Sequence, residues 1–277
     1  DRRQRQMCIR DRYAVEHGMH LMQPANLKNP EFVDELRSLN ADLFIVIAFR
    51  MLPEVVWSMP RLGTFNLHGS LLPKYRGAAP LNWAVINGDT ETGVTTFFLK
   101  HDIDTGDIID RRSIPINPED NVGDIHDRLM MLGAELTIDT VQRILDGNLT
   151  TTPQDELTKG VEPTPAPKIF KETCHIDWTR NARDIHNLVR GLSPYPAAWC
   201  ELVSPDNDIK TIKIFTTAVT DDDASAEPGT IKSDNHRMLI ACGDKWLEVL
   251  SLQLSGKRRM DTAEFLRGFN PAAYKAQ

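Results

Sequence analysis

Asn66, His68 and Asp104 are the side chains whose types and spacing offer chemistry. Asn66 and His68 stand two apart in Thr64-Phe-Asn-Leu-His68, a stretch with strand character. On a strand both project from one face, while Phe65 and Leu67 take the other. The strand is predicted to stop at Gly69, leaving Ser70, Leu71, Leu72 and Pro73 as a tight ledge beside the two polar groups. An amide next to an imidazole at a strand end suits the stabilisation of a developing oxyanion. Asp104 lies in the loop His101-Asp-Ile-Asp-Thr-Gly-Asp107, between two predicted strands. If that turn sits at the same sheet end, its carboxylate can take the proton an attacking amine must lose, directly or through a water. The set fits acyl or formyl transfer to an amine, and no serine or cysteine nucleophile is needed when a cofactor carries the acyl group. Residue types alone leave plainer roles open: a satisfied strand-end histidine, and an aspartate that accepts turn amides.

The elements that must position these groups read as an α/β order. Asn29-Pro30 predicts a helix start, with Phe32, Val33, Leu36 and Leu39 on one face. The apolar run from Asp42 to Phe49 predicts a strand buried on both faces. Residues 51–59 predict a short helix turning Leu52, Val55 and Val56 inward. A helix over 79–87, strands at 93–99 and 108–114, and a long amphipathic helix over 121–146, with a break near Gly133, follow. Strand and helix alternate, predicting a mostly parallel sheet. Pro153, Pro163, Pro165 and Pro167 mark an extended linker without periodicity, and 181–192 a short helix. Beyond Pro194 come five short β segments, near 197–203, 211–219, 229–233, 237–243 and 246–254, predicting an OB-like barrel. Asp261 and Glu264 predict a capping-box-like start to a last helix. The expected boundaries are a leader at 1–12, a catalytic domain at 13–149, a linker and helix at 150–195 and a barrel at 196–277.

Composition narrows the setting. The chain has 277 residues, 41% of them hydrophobic, enough for two domains with full cores. No apolar run reaches ~18 residues, so no membrane span is predicted. Cys8, Cys174, Cys200 and Cys242 lie far apart without a CxxC, which points to a reducing, cytoplasmic setting with no disulfide or zinc framework. Cys174-His175-Ile176-Asp177 falls short of a metal ligand set. A net charge of -7 gives no global attraction to nucleic acid, so RNA contact needs a local patch. Lys257-Arg258-Arg259 is such a patch, or equally a solvated charge run. Arginine supplies five of residues 1–12, with no apolar periodicity, so a disordered or non-native leader is expected there.

His68-Gly-Ser-Leu-Leu-Pro-Lys-Tyr-Arg-Gly77, with Asn66 before it and Asp104-Thr-Gly after it, resembles the signature of the 10-formyltetrahydrofolate-dependent formyltransferases. The Arg76-to-Pro80 segment, the proline-rich linker and the β-rich C-terminal part extend the resemblance from about Tyr13 to near the C-terminus. Within the family it is to the branch acting on methionyl-tRNA. The resemblance implies a Rossmann-like formyltransferase domain joined to an OB-like barrel. It implies Asn66, His68 and Asp104 as the catalytic set, Ser70, Leu71, Leu72 and Pro73 lining the folate site, and no metal. It implies initiator methionyl-tRNA as partner, held in part by Lys257, Arg258 and Arg259, with 10-formyltetrahydrofolate as co-substrate, in a cytoplasmic monomer. Nothing before Tyr13 matches the opening strand, glycine loop, helix and basic loop of the family, so the chain is expected to lack that unit. Two other readings stand beside this one: formyl transfer to an amino sugar nucleotide, and an inactive tRNA-binding remnant.

Overall fold

The computed structural model describes residues 9, 11–47, 51–158 and 163–277. The leader expected at 1–12 therefore lies almost wholly outside the described residues, as does the end of the apolar run at 48 and 49. The chain forms two compact units that meet in sequence between Phe65 and Asn66.

The first unit holds a helix α1, described over 11–16, then α2 (Pro30–Ser38), β1 (Phe44–Ile47) and α3 (Glu54–Trp57). Asn29 caps α2 as its sequence predicts, its side chain accepting the Glu31 N–H at 3.0 Å, with Pro30 at the first helical position. Only Val33 of the α2 apolar face is buried, and Leu39 is exposed. Burial of β1 on both faces is not observed. The pleat sends Val46 into the core, while Ile45 and Ile47 are 46% and 54% exposed. In α3, Val56 turns inward but Val55 stays exposed.

The second unit begins partway along β2 (Thr64–His68). β2, β4 (Glu91–Phe98) and β5 (Ile108–Pro115) lie side by side in that order. β4 and β5 pair antiparallel, Glu91 opposite Pro115 and Phe97 opposite Ile108, as their short connection requires. The two-residue β3 (Arg76–Gly77) and α4 (Pro80–Ile86) fill the crossover before β4. α5 (Val122–Leu145) starts on a capping box between Asn121 and Asp124 and buries Ile125, Leu129 and Leu136. It runs unbroken through Gly133, which is buried against Leu67.

The stretch read as a featureless linker is structured. It contains α6 (Gln154–Thr158) and β6 (Pro165–Ala166), and β6 pairs in parallel with β3. Both elements are short, and their stabilising contacts are distant in sequence, so no local periodicity betrays them.

α7 (Ala182–Leu192) buries Ile185, Leu188, Val189 and Leu192, the side predicted from their spacing. Each such side chain contributes roughly 1.5–3 kcal/mol. The helix covers a sheet of β7 (Ala198–Val203), β8 (Ile209–Asp223), β9 (Ile231–Ser233), β10 (Met238–Ala241), β11 (Lys245–Leu254), β12 (Met260–Asp261) and β13 (Lys275–Ala276). The order is β13-β7-β8-β11-β10-β9, with β12 on β11, and these strand pairs are antiparallel. Ala276 N–H donates to Gly229 O at 2.8 Å and Thr230 bridges Lys275, so the ends of the order meet in a nearly closed barrel. α8 (Thr262–Leu266) lacks the expected capping box: Asp261 makes no side-chain cap, and Glu264 pairs with Arg258. Among the described residues no helix is long and apolar enough to cross a membrane, and no cluster of histidine, cysteine and acidic side chains fits a metal.

Candidate active site

The end of β2 and the β4–β5 connection bring Asn66, His68 and Asp104 together. They are 4%, 6% and 7% exposed, so charges here act with little screening by water. His68 Nδ1 lies 3.9 Å from Asp104 Oδ2. His68 Nε2 is 2.9 Å from the carbonyl oxygen of Tyr75. A carbonyl only accepts, so Nε2 carries the hydrogen and Nδ1 is the nitrogen free to gain or lose a proton. One buried end of the Asn66 amide, placed as Oδ1, has no protein partner. The two ends of an amide exchange by rotation, so this end suits a substrate acceptor when it is the NH₂.

The two loops around this centre hold unusual backbone. Tyr75 has φ 61° and Asp104 φ 55°, both in the left-handed region that side chains disfavour by about 1–2 kcal/mol. Hydrogen bonds hold each in place. Tyr75 N–H donates to Thr164 O at 2.7 Å. Its hydroxyl donates to Asp89 Oδ2 at 3.1 Å and accepts from Asn87 Nδ2 at 3.2 Å. Burial, opposed by the Asn87 hydrogen bond and aided by the charge and then the hydrogen bond of Asp89, pushes the Tyr75 phenol up to about 12. Asp104 Oδ2 accepts the Gly77 N–H at 3.0 Å. Gly106 closes the turn where no other residue fits, since a Cβ there would lie 1.5 Å from Phe98 O.

The predicted ledge divides in two. Ser70 and Leu72 are fully buried. Ser70 Oγ donates to Lys74 O at 2.7 Å, and Leu72 packs with Phe97 and Ile108. Thr95 Oγ1 ties the ledge to β4, donating to Ser70 O at 2.6 Å and accepting the Leu72 N–H at 3.1 Å. Leu71 and Pro73 are half-buried. Leu71 lines a cavity of about 440 Å³ with Lys74, Tyr75, Asp89 and Thr92.

The basic turn stands apart from Asn66, His68 and Asp104 in its contacts. Arg258 pairs with Glu264. Arg259 donates to Ser251 Oγ at 2.9 Å and lies 4.5 Å from the centre of the Phe215 ring. Among the described residues the Lys257 ammonium makes no ion pair.

Sequence reasoning missed Tyr75, Arg111 and Gln154. Arg111 Nη1 donates to Leu72 O at 2.9 Å. Gln154 is 2% exposed and bonds to both loops, at Arg76 and at Asp104 O. The one local signal for its helix is Pro153 followed by Gln-Asp-Glu-Leu, a proline and an acidic first turn.

The comparisons with known proteins agree with this layout. A family model described as formyl transferase matches residues 2–141, a span that takes in most of the arginine-rich leader, and one described as the formyl transferase C-terminal domain matches 168–270. The methionyl-tRNA formyltransferase of Bacteroides fragilis is 56% identical over 259 residues, covering 93% of this chain and 80% of that protein. HypX from Aquifex aeolicus in complex with tetrahydrofolic acid is similar in structure, with TM-score 0.62 and 21% identity over 86% of this chain and 41% of that one. An N-formyltransferase from Helicobacter canadensis, in complex with folinic acid and dTDP-3-aminofucose, has TM-score 0.64 and 20% identity over 90% of this chain and 82% of that one. At such identities these two structures show the shared fold alone. The sequence match over nearly the whole chain decides the rest: the chain belongs to the methionyl-tRNA formyltransferase family.

Proposed function

We propose that Asn66, His68 and Asp104 transfer the formyl group of 10-formyltetrahydrofolate to the amino group of methionine on initiator methionyl-tRNA. The observation that carries this is the buried approach of Asp104 to His68 Nδ1, 3.9 Å, beside an Asn66 amide with one buried end, placed as Oδ1, that lacks a protein partner. The amine attacks the formyl carbon, and the carbonyl oxygen becomes an oxyanion. Asn66 NH₂ donates to that oxygen. His68, protonated at Nδ1, adds its charge, since Nε2 is committed to Tyr75 O. Asp104 accepts the proton the amine loses. The folate nitrogen leaves with the electrons of the broken C–N bond and gains one proton, so the amine proton is balanced. No side chain is acylated.

The ledge is assigned to the folate through Leu71 and Pro73, which keep open surface, while Ser70 and Leu72 set its shape. The catalytic domain is assigned to 13–149 and the barrel to 196–277, with 150–195 between them; the two family matches, over 2–141 and 168–270, support the division into two parts. Lys257 is the member of the basic turn left to meet phosphate. We assign the enzyme to the cytoplasm, a reading its free, buried Cys174, Cys200 and Cys242 support, and read it as a monomer.

The test is steady-state formylation with both acceptors, methionyl-tRNA and a dTDP-amino sugar. His68→Ala is expected to lower kcat on methionyl-tRNA by roughly 10²–10³. Turnover of the amino sugar instead of methionyl-tRNA would overturn the substrate, and unchanged kcat in His68→Ala would overturn the site.

A further inference from the structure

We propose that Gln154, in the segment between the two family-matched regions, is a positioning residue for formyl transfer that locks the two catalytic loops to each other. The inference rests on the reading of Asp104 as the proton acceptor.

The side chain is 2% exposed and its amide bonds at both ends. Its Nε2 donates to Asp104 O and to Gly106 O, both at 2.8 Å. Its Oε1 accepts from Arg76 Nε at 3.0 Å and Arg76 Nη2 at 2.8 Å. Two donors and two acceptors thus join one amide. An amide is the group that can do this: a carboxylate has no hydrogens for the carbonyls, and an ammonium has no lone pair for the guanidinium. The two carbonyls flank the turn that sets the Asp104 carboxylate. Arg76 precedes Gly77, whose N–H donates to that same carboxylate. Gln154 therefore closes a ring of contacts from Asp104 through its backbone to Arg76, and from Gly77 back to Asp104 Oδ2.

The surrounding chain supports the lock. Just before Gln154, Thr152 and Ile108 exchange two backbone hydrogen bonds of 2.9 Å. Just after it, β6 pairs with β3, and Ala166 O accepts from Ala78 N at 2.8 Å. At Gly77, φ 126°, a Cβ would lie 2.5 Å from Ala166 O, so the contact depends on glycine. The connecting segment is thus stitched to the catalytic loops on both sides of Gln154. Asp104 sits at φ 55°, a conformation that needs such over-determination to persist.

Because Gln154 touches no reacting atom, its effect must run through Asp104. The experiment is a double-mutant cycle on the full chain, using Gln154→Met and Asp104→Asn with 10-formyltetrahydrofolate and methionyl-tRNA. Gln154→Met is expected to lower kcat on the order of 10²-fold, since a displacement of about 1 Å in a catalytic group has that effect. Its KM for methionyl-tRNA stays within about twofold. In the Asp104→Asn background the same substitution costs less than about threefold, because residues acting as a unit are not additive. An equal loss in both backgrounds, or a loss confined to KM, overturns the proposal. Gln154→Glu supplies the second variant if the methionine protein does not fold. It keeps its size and the Arg76 pairing, loses both donors, and is expected to lose kcat in the same Asp104-dependent way. Full activity in Gln154→Glu overturns the proposal as well. If Asp104→Asn alone keeps full activity, the reading of the site fails instead, and the two failures are distinct.

Discussion

Tyr75→Phe keeps the ring in the core and removes one hydroxyl. Two hydrogen bonds go with it, 3.1 Å to Asp89 and 3.2 Å from Asn87. A hydrogen bond to a charged partner nets about 1.5–3 kcal/mol. Both bonds are long, and Asp89 keeps Lys74 at 3.0 Å, so the loss lies at the low end, about 1.5 kcal/mol. Holding Tyr75 at φ 61° costs a similar amount, about 1–2 kcal/mol. With the hydroxyl gone, the peptide is free to relax for part of the time, and its carbonyl then leaves His68 Nε2. Calorimetry is expected to show Tm lowered by about 3–6 °C. Formylation kinetics are expected to show kcat lowered on the order of tenfold with KM for methionyl-tRNA nearly constant, because a loosened His68 acts on the transition state. A lowered Tm with wild-type kcat would refute the argument that this carbonyl orients the imidazole.

Four further outcomes follow from the structure. Gly106→Ala is expected to abolish turnover and lower Tm, since its Cβ would lie 1.5 Å from Phe98 O and the Asp104 turn cannot close; activity and calorimetry check it. Lys257→Ala is expected to weaken methionyl-tRNA binding and reduce the slope of log K against log salt by about 1, without changing Tm. Arg259→Ala is expected to lower Tm instead, because that guanidinium packs on Phe215 and bonds Ser251. His186 has its pKa lowered by burial, then by the charge of Arg190. Below about pH 6.5 the unfolded chain binds a proton that the folded one refuses, so stability is lost as pH falls through that range toward the lowered folded value. His186→Gln is expected to flatten this acid loss by at most about 1.4 kcal/mol per pH unit in urea titrations.

The candidate site was legible because its parts carry local signals. Asn66 and His68 share a strand face, and Asp104 occupies a turn between two β-rich runs. The barrel strands and α7 were legible from alternation and from the 3.6-residue spacing of Ile185, Leu188, Val189 and Leu192. What escaped has no local signature. β6 and β13 are two residues long and exist through partners far along the chain, β3 and β7. Gln154 looked like one polar residue in a proline-rich stretch, and its four hydrogen bonds reach Arg76 and the Asp104 turn, 48 to 78 positions away. The ledge was legible as a turn, but its division into buried Ser70 and Leu72 and half-buried Leu71 and Pro73 depends on Thr95 across the sheet. Glu264 fitted a capping pattern, yet a direct charge partner in Arg258 took its carboxylate.

The central claim is that a buried amide, imidazole and carboxylate move a formyl group onto an aminoacyl-tRNA. Mass spectrometry of methionyl-tRNA, after incubation with the folded chain and 10-formyltetrahydrofolate, tests it most directly. The account predicts a gain of one formyl group on the methionine, lost when Asp104 is changed to Asn. An unmodified methionine with the folded chain, or an equal gain with the Asp104→Asn protein, would contradict it.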